Sequence, residues 1–406
     1  MIVSVSWRNI WRNKTRSLVI MSAITVGVFA GVFVIAFMLG WVNQRIRSVV
    51  NTEISHIQIH HPQYLETFEV HDYIASVSAL ADSIGAIGGV KATSSRVIAA
   101  CMIATAETGT GIMLTGIDPE KESQITNIHE LVIDGDYFTE AKTNQIVIGE
   151  ALATKLKAKV RSRVVITITE MDGTLTGGAF RVAGIYRTAN SAYDEMKAFV
   201  RADDLRTLLN IEPGAGHEIA ILMEETGTED QFAVALSEQH TGLSVMTWVQ
   251  LLPEMALMNE SMNLMIYIFI GIILLALGFG IVNTMLMVIL ERVKELGMLM
   301  AVGMNRVRVF MMIILETVFL CLTGGVAGIA LAIVVTAITS KTGINLDIWA
   351  GGLNSMGFDA MVYPEIEFEM ILVVAVMVAL TGVLSALYPA RKAIKLKPAE
   401  ALRIDM

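Results

Sequence analysis

Charge is what this sequence has least of. Only 17% of its 406 residues are Asp, Glu, Lys or Arg, against about 25% in an ordinary soluble domain. Cysteine is scarcer still, with Cys101 and Cys321 the two in the chain. One lies in a polar stretch and the other inside an apolar run, so they do not form a bridge, and the fold is not a disulfide scaffold. No CxxC or Cys/His spacing offers a zinc site. An excess of positive charge is also missing. The formal net charge of −9 argues against nucleic acid as a partner. No Gly-rich stretch has Walker A spacing, and no Ser/His/Asp or Cys/His constellation is legible. No catalytic residue, metal or cofactor is assigned to the chain.

What is present is apolar and clustered. Hydrophobic residues make up 54% of the chain, with a mean hydropathy of +0.60. Residues 18–40 hold the first unbroken apolar run. At a rise of about 1.5 Å per residue it crosses the hydrocarbon core of roughly 30 Å. It is too long for a signal-peptide core and lacks an A-x-A site, so it reads as an uncleaved span. Residues 261–290, 309–339 and 370–388 supply three more. The fold class expected is a membrane protein of four transmembrane α-helices, with a large α+β extracytoplasmic domain between spans 1 and 2.

Around the spans the chain reads in order. Residues 1–17 are basic, with Trp7, Ile10 and Trp11 at helical spacing, which predicts an interfacial helix. Gly27 and Gly31 form a small-xxx-small pair suited to close helix contact. Residues 41–260 are soluble in character and acidic. Strands are expected over Glu53–Ile59, Gln145–Ile148, Val164–Thr169 and Ala179–Ile185, with Asp172-Gly173 as a hairpin turn. His56, His60 and His61 have no carboxylate or cysteine to complete a metal set, and are read as solvent-exposed strand residues. Trp248 to Met262 is amphipathic and runs into the second span. It predicts a stalk whose apolar face is Leu251, Leu252, Met255 and Met258. Glu316 falls inside the third span, where an acid is expected to face the bundle interior.

Basic residues crowd the N-terminus, the 291–308 loop and the tail 389–406, while the loop 340–369 is acidic. The positive-inside rule then puts both termini and residues 291–308 in the cytoplasm, and the large domain outside. Residues 291–303, ERVKELGMLMAVG, read as a short helix with Val293, Leu296 and Met300 on one face. Glu291, Arg292, Lys294 and Glu295 fill the rest, and Gly297 and Gly303 allow a close approach or a turn.

Three motifs carry a resemblance. ERVKELGMLMAVG…E resembles the ERxxEIGxLrAlG…E signature of FtsX/MacB-type ABC transporter permeases. YPARKAIKLKPAEALR resembles that family's terminal pattern, and WRNIWRNKTRSLVIMSAITVGV its N-terminal one. Within the family, GIDPEKE, IGEALATKL and GAFRVAGIYRTANSAYDE look like the lipoprotein-releasing LolC/LolE-like branch. The resemblance implies a non-enzymatic permease subunit of the bacterial inner membrane that works by mechanotransmission, extracting lipoproteins for transfer to the outer membrane. Its ectodomain would comprise porter-like flanks (about 51–112 and 200–247) and a sabre-like insert (about 113–199). It also implies that Glu291, Arg292, Val293, Glu295, Leu296, Gly297, Met300 and Gly303 form a coupling helix, docked on a cytoplasmic ATPase dimer that binds ATP and Mg. A second permease, membrane lipids and a periplasmic lipoprotein carrier are the further partners implied. A drug or peptide exporter with an outer-membrane channel, or a scaffold regulating a cell-wall hydrolase or peptide response, are the alternative roles.

Overall fold

A run of apolar residues as long as a bilayer is thick has to be helical, because a helix satisfies its backbone N–H and C=O groups internally. The computed structural model describes residues 2–139, 143–225 and 227–395; Lys397, Arg403 and most of the terminal motif lie outside the described residues. Two compact units share the chain: residues 1–42, 258–344 and 362–406 form one, residues 43–257 and 345–361 the other.

The first unit is built from α1 (Ile2–Arg12), most of α2 (Lys14–Val49) and of α3 (Pro253–Glu291), α4 (Val293–Ala301), α5 (Arg306–Thr342) and α6 (Phe368–Ile394). Among the described residues, α2, α3, α5 and α6 are long and apolar enough to cross a membrane. They outrun the apolar stretches that mark them, α2 continuing to Val49 and α3 beginning at Pro253. At the N-terminus the expected helix is shorter than residues 1–17. It stops at Arg12, and α2 restarts at Lys14.

Ile24, Val28, Val32 and Ile35 of α2 recur at helical spacing and meet Ile270 and Leu274 of α3, Leu320 of α5 and Val378 of α6 in one core. The closest backbone approach between spans is not at Gly27 and Gly31, where an added Cβ would meet only side chains. It is at Gly324 and Gly328 of α5: a Cβ there would lie 2.9 Å from the Met21 carbonyl oxygen and 2.7 Å from that of Thr25. The Thr25 hydroxyl donates to the Gly324 carbonyl at 3.1 Å.

The second unit is organised by a mixed sheet of β1 (Ile57–His60), β2 (Val90–Ala104), β3 (Gly109–Ile117), β4 (Val132–Gly135), β5 (Gln145–Gly149), β6 (Arg163–Thr169), β7 (Leu175–Tyr186), β8 (Lys197–Arg201), β9 (Glu218–Met223) and β10 (Ser244–Thr247). Their order is β10-β1-β9-β2-β3-β8-β5-β7-β4, with β6 pairing β2 and β7. The β6–β7 hairpin turns at Asp172-Gly173, where Gly173 has φ +82°. The two largest cores among the described residues of this unit lie along the sheet. One gathers Ile57, Ile59, Val77, Ile84, Ile219 and Ile221; the other gathers Val97, Leu114, Ile148, Val164, Phe180 and Leu205. The border drawn at 112/113 falls inside β3, because β2 and β3 pair continuously across it.

Two expectations for this unit are corrected. Glu53 to Ile59 is not one strand: Val50–Ile54 is a π-helical turn that continues α2, and β1 starts at Ile57. His56 and His60 are not solvent-exposed but buried. The His56 Nδ1 accepts from the Met223 N–H at 2.9 Å, and the His60 Nε2 lies 3.0 Å from Gln58 Oε1. Alternation alone could not separate this from a half-exposed strand, since β9 and β10 flank β1 on both edges.

Candidate coupling site

The segment between the second and third spans folds as a helix with a break on each side. α3 ends at Glu291, Arg292 leaves helical geometry (φ −103°, ψ 17°), and α4 runs over Val293–Ala301. A glycine-dependent turn closes it. Gly303 has φ +100°, and the Met304 N–H donates to Leu299 while the Gly303 N–H donates to Met300. This is a Schellman-type end. Asn305 then caps α5, its side chain accepting from the Val307 N–H at 3.1 Å.

The expected site residues are divided by the structure. Val293, Leu296 and Gly297 are buried, with Leu296 inside the core of the membrane unit and Met300 packed against it. The apolar face of α4 is thus spent on its own bundle. The face left open carries Lys294, Met298 (57% exposed), Ala301 and Val302 (85% exposed). Met298 and Val302 are exposed apolar residues that the motif did not single out; their i, i+4 spacing is the signal that would have found them.

The charged residues form a network. Arg292 donates to Glu295 at 2.9 Å and to Glu316 of α5 at 3.1 Å. Glu316 is buried, so the acid inside the span faces inward and has a cation. Glu295 also accepts from Arg12 of α1, and Arg16 of α2 pairs with Glu291. Hydrogen bonding to Arg12, with Arg292 beside it, holds the Glu295 carboxyl below the usual carboxylate range. Sequence spacing could not reveal these partners, 283 residues apart in the case of Arg12 and Glu295.

The stalk residues are not on one helix. Leu251 ends a single turn, Trp248–Leu251, that opens on a Thr247/Gln250 capping box. Leu252 then adopts φ −126°, ψ 72°, and Pro253 starts α3. Proline disfavours helical geometry in the residue before it. Leu251, Leu252, Met255 and Met258 are all half-buried. Where α2 enters the ectodomain, the π-turn is held by polar side chains. Glu53 accepts from Arg45 at 3.2 Å and from Asn190 at 3.1 Å, and Thr52 donates to Asn127 at 2.9 Å. Among the described residues, no group of three or more His, Cys, Asp or Glu is placed to hold a metal.

The FtsX-like permease C-terminal family matches residues 267–398, and the MacB-like periplasmic core domain matches residues 17–239. The chain is 30% identical over 230 residues to an uncharacterized ABC transporter permease of Methanocaldococcus jannaschii, covering 55% of each. It is 30% identical over 187 residues to the macrolide export ATP-binding/permease protein MacB of Vibrio parahaemolyticus, covering 46% of this chain and 24% of that one. It is 27% identical over 288 residues to the pyoverdine export ATP-binding/permease protein PvdT of Pseudomonas putida, covering 66% of this chain and 40% of that one. The chain thus spans about half or less of the length of these relatives. The periplasmic region of MacB from Actinobacillus actinomycetemcomitans aligns with 54% of this chain and 98% of its own, at 10% identity and a TM-score of 0.36. With a MacB-like domain over more than half the sequence, an FtsX-like domain after it and four apolar helices around them, the chain belongs to the FtsX/MacB-type family of ABC transporter permeases.

Proposed function

We propose that this chain is the membrane subunit through which a separate ATPase drives motion in the extracytoplasmic domain. The observation that carries this is the open face of α4. Lys294, Met298, Ala301 and Val302 stay uncovered while the opposite face is packed into the bundle. A partner's groove would take Met298 and Val302 as its apolar anchors, with Glu291 and Lys294 at its polar rim. The ATPase, with its ATP and Mg, is supplied by other chains, and both termini and α4 lie on its side of the membrane. α2 and α3 lead from the spans into the ectodomain and transmit the motion. Each span window buries only 33%, 22%, 33% and 33% of itself, which favours a second permease, identical or paralogous, together with lipid as the cover for the rest.

The cargo we favour is an amphiphile handed outward, in keeping with the export of macrolides and pyoverdine named for two relatives. Extraction of lipoproteins to a periplasmic carrier is the second reading. The GIDPEKE and GAFRVAGIYRTANSAYDE stretches favour it, with Leu251, Leu252, Met255 and Met258 sheltering acyl chains. The test is copurification from nanodiscs with mass spectrometry of everything retained. An ATPase is expected with the parent chain and lost from Met298→Glu/Val302→Glu. Undiminished association in that variant would overturn the docking face. A bound small amphiphile supports export, a triacylated lipoprotein supports extraction, and a cell-wall hydrolase with neither points to a scaffold.

A further inference from the structure

Arg12 and Arg16 are four residues apart, as are Glu291 and Glu295. The pairs run antiparallel, Arg12 to Glu295 and Arg16 to Glu291. Glu295 is shared, since Arg292 donates to it as well, and Arg292 passes the network inward to Glu316. The network is graded: Arg12 is 56% exposed in its side chain, Arg292 15% and Glu316 8%. A cleft of about 270 Å³, lined also by Asn9 and Asn13, brings solvent to the outer pairs.

The two sides of this network are held differently. α1 is fastened to α5: the Ser6 hydroxyl donates to the Met312 carbonyl at 3.2 Å, Ile10 is buried, and the Trp7 ring stands edge-on to Phe319 at 5.6 Å. α4 is a nine-residue helix between two breaks in the chain. From this platform Arg12 reaches Glu295 on α4, while Arg16 of α2 reaches Glu291 at the end of α3, one residue before the break at Arg292.

We infer that Arg12 and Arg16 are positioning residues for the coupling helix. The N-terminal helix is a releasable ionic clamp that sets where α4 presents Lys294, Met298 and Val302. The inference rests on the docking reading above. Arg12 acts on α4 directly through Glu295, Arg16 through Glu291 at the end of α3, and the exposed Arg12–Glu295 pair biases the helix by a factor of roughly two to five.

The test uses the full chain in nanodiscs, spin-labelled through Arg8→Cys and Met298→Cys. Both native cysteines are buried. The expected parent signal is one narrow distance distribution. Arg12→Gln and Glu295→Gln each broaden it, and the double variant is no broader than Glu295→Gln alone, because Arg12 acts through that carboxylate. No broadening in Arg12→Gln, or additive broadening in the double variant, overturns the clamp. ATP hydrolysis by the ATPase copurified with the unlabelled chains, Met298 intact, is the second readout. It should fall roughly two- to fivefold in Arg12→Gln and recover in Arg12→Lys. An unchanged rate where the distances respond overturns the link to coupling. A parent chain that retains no ATPase defeats the docking reading alone, since the label distances still judge the clamp.

Discussion

Glu316 is tolerated inside an apolar helix because Arg292, at the break before α4, brings it a cation at 3.1 Å. Removing one partner of a buried pair is worse than neutralising the other, since it leaves an uncompensated charge. Arg292→Ala should therefore destabilise the membrane unit by about 3 kcal/mol. Glu316→Gln, which leaves Arg292 bonded to Glu295, should cost about 1 kcal/mol. Thermal unfolding in nanodiscs checks the order, and equal losses would mean the pair is not the anchor the geometry indicates. That an acid lay in the third span was legible from residue order. Its partner was not, because Arg292 read as one more charge in a polar loop. Nor were Arg12 and Arg16, whose partners lie on the other side of the ectodomain in sequence.

At the scale of elements, the spans were readable because lipid demands long apolar stretches, and a charged helix between two of them was readable for the same reason. What sequence left open was which face of that helix is outward. Val293 and Leu296 look like a docking stripe until the bundle is seen to bury them. Contacts between spans were likewise ambiguous, since small-xxx-small pairs occur in both α2 and α5 and only packing selects one. The selected pair makes a prediction. Gly328→Leu pushes a side chain onto the Thr25 backbone and should cost about 1–3 kcal/mol. Gly271→Ala in α3, where an added Cβ meets nothing within 4 Å, should leave the melting temperature unchanged or slightly higher. A loss at Gly271 equal to that at Gly328 would contradict the assignment of α2 and α5 as the close pair.

At the scale of the whole molecule, two units with separate cores should unfold in separate transitions. Asp194 provides a way to tell them apart. Burial pushes its carboxyl up to about 6, against the opposing pull of two hydrogen bonds from Thr188. A carboxyl raised in the folded state is most favourable when protonated. Its contribution is complete below the unfolded value near 3.8 and is lost as pH rises through about 6. The loss amounts to about 3 kcal/mol. Asp194→Asn should therefore raise the melting point of the ectodomain transition at pH 8, lose that advantage near pH 4, and leave the other transition in place. A shift of both transitions together would mean that the two units melt as one.

The order of strands also has a consequence for how the protein is made. β9, residues 218–223, lies between β1 and β2, which emerge much earlier in the chain. Until it arrives, these two strands have no common neighbour and expose unpaired edges, which invite wrong partners. The ectodomain cannot close from its beginning as it crosses the membrane. Its sheet is completed by some of its last residues, shortly before the second span is made, so a ribosome stalled short of β9 would leave an unfinished domain for chaperones and proteases to contest.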